Sequence, residues 1–195
     1  MEPKEAIQAA KNMGLDGICF TEHDRAWELS DITELSAKYS FPVFRGVEVM
    51  LKEGCEILVF GLNMNFTSVI DMQALYNLAI ETNSFMIAAH PFRGLSCNTP
   101  ADFDKTAELV LKKSIYDKVN GIEGYNGRNM DGNNAFAVKL AGILGVPVSG
   151  GSDAHVTDEL GKCITVFDNT IRNEVDFLAE LKAGRFKGST FTPQL

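Results

Sequence analysis

The chain has 195 residues, 45% of them hydrophobic and 23% charged, which is enough to bury a substantial core within a single domain spanning residues 1–195. A net charge of −8 excludes a broad basic face for nucleic acid, but it leaves room for a phosphate substrate where cations neutralise local acids. No apolar run approaches the roughly 18 residues that cross a bilayer, and Met1-Glu2-Pro3-Lys4-Glu5 lacks the apolar core of a signal peptide. A cytoplasmic protein with no membrane partner is therefore expected.

In chain order, Pro3 suits a helix start, and Ala6, Ile7, Ala10 and Met13 follow at helical spacing before Gly14. Gly17 to Phe20 reads as a short buried strand, residues 28–39 as a helix and residues 42–50 as an apolar strand. Residues 56–62 form another strand, hairpin-paired with its predecessor because only a short glycine-containing loop intervenes. Helices then follow over 68–81, 102–116 and 133–144, the last stopped by Gly145, with strands over 85–89, 121–125 and 146–149. A strand over 163–167 and a helix over 174–182 close the pattern. Such alternation predicts an α/β fold with a largely parallel sheet, open or closed, whose function sits on the loops after the strands.

All three histidines fall just after apolar strands: His23 after Ile18-Cys19-Phe20, His90 after Met86-Ile87-Ala88-Ala89, and His155 after Val148-Ser149. If the strands are parallel, the three imidazoles rise at one rim. Asp153 and His155, two apart, point to the same side of an extended chain. Glu48 is a carboxylate inside an apolar strand. Unless that strand is an edge facing solvent, burial calls for a cation, and a carboxylate can bridge two. Mixed imidazole and carboxylate ligands suit zinc, manganese or iron, and paired cations serve hydrolysis by activating water. Arg93 and Arg128 stand on the same predicted rim, where guanidinium forks match a phosphate. The four cysteines, Cys19, Cys55, Cys97 and Cys163, are scattered without a Cys-x-x-Cys pair and read as structural filler. Glu123 reads as facing a helix or solvent, Tyr125 as packing, and Trp27 as lining a substrate pocket or stapling the helix after it.

Five segments occur in the order and spacing of the PHP (polymerase and histidinol phosphatase) superfamily. They are Thr21-Glu22-His23-Asp24, Gly46-Val47-Glu48, Ala89-His90-Pro91, Ile122-Glu123-Gly124-Tyr125-Asn126-Gly127 and Gly151-Ser152-Asp153-Ala154-His155. The chain resembles that family over nearly its whole length. The resemblance implies a distorted (β/α)7 barrel with two or three divalent metal ions at the carboxyl rim. It implies Glu48 as the bridging ligand, Asp153 on the first metal, His90 on the second, and His23 with His155 on a third. Glu48, His90 and Asp153 would form the catalytic set, with Arg93 and Arg128 holding the phosphate. Two departures stand out: the chain begins at the first helix, without the family's opening strand carrying Asp-x-His-x-His, and it has Asn126 where some relatives carry a further histidine. The barrel is thus expected to be incomplete at its first strand.

The function implied is hydrolysis of a small phosphorylated metabolite or nucleotide by a metal-dependent phosphoesterase. A PHP-fold binding or regulatory domain with an impaired metal site is the alternative. An amidohydrolase-like reaction would want a lysine at a later strand end, and none stands there. Substrate identity and self-association into a homo-oligomer are left open.

Overall fold

A computed structural model describes residues 1–95, 99–111 and 115–192. Helix α1 (Pro3–Asn12) begins on a proline whose missing N–H costs nothing there, and it buries Ala6, Ile7 and Ala10. Strand β1 (Ile18–His23), helix α2 (Leu29–Tyr39) and strand β2 (Val43–Met50) follow. Strand β3 is Glu56–Phe60, and α3 (Met72–Glu81) is capped by Asp71, which accepts from the Ala74 N–H at 2.9 Å. Next come β4 (Phe85–Ala88), α4 (Pro100–Leu111), β5 (Gly121–Asn126) and α5 (Asp131–Leu144), closed by left-handed Gly145 at φ 67. Strand β6 (Val148–Gly151), a 3-10 turn (Thr157–Glu159), β7 (Cys163–Phe167), α6 (Glu174–Lys182) and β8 (Phe186–Thr190) complete the described chain. Cys97 and part of the helix expected over 102–116 lie outside the described residues.

The strands β1 to β6 form one curled sheet in sequence order. Pairs β1–β2, β4–β5 and β5–β6 are parallel, while β3 runs antiparallel to both of its neighbours. Five carboxyl ends and the amino end of β3 therefore share a rim. The hairpin expected between β2 and β3 is present, with Met50 opposite Glu56.

Alternation along the strands divides the core into two faces. On the outer face, Val47, Val49, Ile57, Val59 and Met86 pack against Leu75 and Ala79 of α3 and Phe136 and Leu140 of α5. Ile7 of α1 and Ile32 of α2 bury Val43 on the same side. On the concave face, Phe44, Phe60, Phe85 and Ile87 meet Phe177 and Leu181 of α6 and Phe186 of β8. Trp27 packs in the outer cluster, 5.8 Å from the Phe20 ring, as a staple would.

One feature departs from the expected largely parallel barrel, and another accords with its expected incompleteness at the first strand. Strand β8, which had no counterpart in the sequence reading, pairs antiparallel with β7 in a separate two-stranded sheet. That sheet presses on β6 so closely that a side chain at Gly188 would sit 2.4 Å from the Ser149 carbonyl oxygen. Among the described residues β1 has a strand neighbour only on its β2 side. A cavity of about 1030 Å³, lined by Cys19, Phe44, Phe60, Thr165 and Phe167 among others, separates it from β7. The architecture is thus a mixed α/β half-barrel of six strands. No helix among the described residues is long and apolar enough to cross a membrane.

Candidate metal centre

Parallel pairing sets His23 directly opposite Glu48, and the reversed β3 brings Glu56 to the same rim from its first residue. The four side chains His23, Glu48, Glu56 and His90 interlock. Glu48 lies with Oε1 3.1 Å from His90 Nε2 and Oε2 3.3 Å from His23 Nδ1. Glu56 repeats the arrangement, with Oε1 3.7 Å from His23 and Oε2 3.4 Å from His90. One donor atom each from His23, Glu48 and Glu56 lies within 4.8 Å of the other two. Glu48 is only 7% exposed, on a strand flanked on both sides, so the solvent-facing edge considered for it is excluded.

One imidazole and two carboxylates within that span are a donor set of the kind that divalent cations take, and His90 is bonded to Glu48 beside them. Burial, and then the charge of Glu48, push the Glu56 carboxyl above its ordinary pKa, because the pair repels. Burial opposes charge on His90, yet its hydrogen bond to Glu48 and the field of Glu123 outweigh it and raise its pKa.

The other half of the rim is ionic. Arg93 Nη2 donates to Asp153 Oδ2, and Arg93 Nε lies 3.3 Å from Asn129 Oδ1. Arg128 Nη1 stands 3.0 Å from His155 Nδ1 and 3.9 Å from Asp153 Oδ1. Burial disfavours charge on Asp153, but the hydrogen bond and charge of Arg93 prevail and hold its carboxyl below the usual range. The rings of His23 and His155 face each other across the two halves, centroids 6.3 Å apart.

Beneath both halves lies Glu123, 4% exposed rather than facing solvent or a helix, and burial raises its carboxyl pKa to about 7. It receives the His90 N–H and the Asn126 amide, each at 3.0 Å. Asp153 and His90 both adopt positive φ, at 51 and 26, a backbone region that non-glycine residues enter at a cost. Cys19 and Cys163 are no part of this chemistry, since burial pushes both thiols up and keeps them protonated.

All seven residues expected at the site thus gather at one rim, divided into an acid–imidazole half and an arginine–aspartate half. Glu56 and Glu123 are additional. The hairpin signal alone could have found Glu56, because an antiparallel β3 must start where β2 ends. Glu123 stood in one of the five family-like segments, but it was read there as facing a helix or solvent.

An open α/β half-barrel with acids and imidazoles at one rim defines the class, and comparison with known proteins agrees. A family model described as PHP-associated matches residues 131–186. An uncharacterised protein of Methanocaldococcus jannaschii is 24% identical over 132 residues, covering 67% of this chain and 70% of that protein. PsfC from Pseudomonas syringae PB-5123 superposes with a TM-score of 0.68 at 20% identity, over 97% of this chain and 82% of its own. An amidohydrolase from Chromobacterium violaceum, solved with sulfate and no metal, gives 0.64 at 14% identity, over 100% and 93%. A structure assigned as a metal-dependent phosphoesterase from Bifidobacterium adolescentis gives 0.59 at 14% identity, over 92% and 90%. The chain thus resembles the PHP-associated family over residues 131–186 and shares the fold of these hydrolase structures.

Proposed function

We propose that this protein is a metal-dependent phosphoesterase that hydrolyses a small phosphorylated metabolite or nucleotide. The observation that carries the reading is the placement of Glu48, one oxygen toward each of His23 and His90, with Glu56 closing the square. Those four side chains would hold the cation, with Asp153 and His155 at its open side. A divalent cation supplies Lewis acidity and makes hydroxide available near neutral pH. Arg93 and Arg128 flank that centre and would orient the phosphoryl oxygens by charge-assisted hydrogen bonds. Arg93 would then exchange its bond to Asp153 for the substrate, freeing the carboxylate.

Support also comes from the neighbours, one assigned as a phosphoesterase and another holding sulfate, a tetrahedral oxyanion like phosphate. One neighbour of the same fold is named an amidohydrolase, but two guanidinium groups beside the centre favour an anionic ester. The test is cation content by elemental analysis, paired with phosphate release after Mn²⁺ or Zn²⁺ addition. Retained cation and hydrolysis in the parent, with both lost in Glu48→Gln and His90→Ala, is the expected result. Less than about half an equivalent bound, with no phosphoester hydrolysed, would leave a binding domain as the better reading.

A further inference from the structure

We propose that Glu123 is a positioning residue that couples the two halves of the rim, a role that rests on the metal-site reading above. Its Oε2 accepts from the His90 N–H and from Asn126 Nδ2, each at 3.0 Å. The first bond holds the His90 main chain at φ 26, and that conformation decides where imidazole Nε2 meets Glu48. The second fixes which way the Asn126 amide points. With Nδ2 committed to Glu123 and, at 3.3 Å, to Asp153 Oδ2, its Oδ1 turns to Arg93 Nη2 and the Arg128 N–H, both at 2.9 Å.

A flipped amide would set its NH₂ against two donors and its oxygen against two carboxylates. Glu123 therefore selects the orientation that lets Asn126, itself 1% exposed, hold Arg93, Arg128 and Asp153 together. A carboxylate retained only to fill space would serve the core less well than an apolar side chain, because its desolvation is costly. Here both donors that need an acceptor belong to the site: the backbone of His90, a candidate metal ligand, and the amide that organises the arginine half.

Two variants separate positioning from bulk. Glu123→Leu removes the acceptor at similar size, while Glu123→Gln keeps an oxygen in its place. In metal-free protein, ring ¹H–¹⁵N spectra resolve the three histidines, and the side-chain amide of Asn126 gives a second probe. Glu123→Leu should shift the His90 ring and Asn126 amide signals and weaken Co²⁺ binding on the order of 10–100-fold. Glu123→Gln should restore the parent's signals and its Co²⁺ absorption spectrum. Unchanged His90 and Asn126 signals in Glu123→Leu, or a Glu123→Gln as damaging as Glu123→Leu, would overturn the proposal.

Should Glu123→Leu fail to fold, Asn126→Ala cuts only the link to the arginine half. His155 signals should then move while His90 stays, and the opposite pattern or no movement counts against coupling. A parent that binds no Co²⁺ sinks the metal reading instead, and the metal-free spectra still decide Glu123.

Discussion

Glu180, buried on α6, accepts from Arg185 Nε at 2.9 Å and Nη2 at 2.5 Å, and from Asn169 Nδ2 at 2.9 Å. The Arg185 bonds first, and then the Asn169 bond, hold its carboxyl down to about 2. A folded pKa below the unfolded one gives stability that is present above about 4 and lost as pH falls toward 2. Melting temperature should therefore drop over that acid window in the parent. Glu180→Gln should begin lower and lose less there, and an acid limb identical in both proteins would show that the pair contributes nothing. At this scale the sequence was informative wherever chemistry and position conflicted. Glu48 stood out as a charge in an apolar strand, and each histidine as a polar group closing one. Glu123 had the same conflict, but its contact with the His90 N–H depends on β4 and β5 lying side by side.

Some elements were legible because their ends are marked chemically: Pro3 opens α1 and Gly145 stops α5, whereas the helix expected from residue 68 begins only after its Asp71 cap. Asp71→Ala removes the bond to the Ala74 N–H and should lower the midpoint of denaturant unfolding measurably. A loss too small to measure would mean that neither this bond nor the ion pair with Lys52, 3.4 Å away, contributes to stability. What stayed hidden was β8. Phe186-Lys187-Gly188-Ser189-Thr190 is short, half polar and carries a glycine, so it lacks the alternation that marks a strand. The glycine is there because β6 passes too close for any side chain. Gly188→Ala would force the Ser149 carbonyl away and should lower stability by several kcal/mol at most, with roughly 1–3 as the usual range for overpacking. An alanine variant that melts with the parent would show that the two sheets separate freely.

Across the whole molecule, His23 of β1, Glu48 of β2 and Glu56 of β3 converge on one point, so a cation bound there would act on the sheet as a unit. At a hundredfold excess over its dissociation constant, Mn²⁺ should add about 2.7 kcal/mol, or roughly 5–10 °C in melting temperature for a chain of this size. Chelator should reverse the gain, and Glu48→Gln should abolish it; an equal shift in that variant would place the ion elsewhere. The hairpin that supplies Glu48 and Glu56 has a kinetic consequence as well. Every other neighbouring pair in the six-stranded sheet is joined through a helix, whereas β2 and β3 are linked only by Leu51–Cys55. Local pairing closes fastest, so the two acids meet before either histidine arrives to separate them. Their repulsion falls on the folding limb rather than the unfolding limb. Glu56→Gln should accordingly refold faster than the parent in stopped-flow mixing without metal, and the functional centre becomes the part of the chain that slows its own assembly.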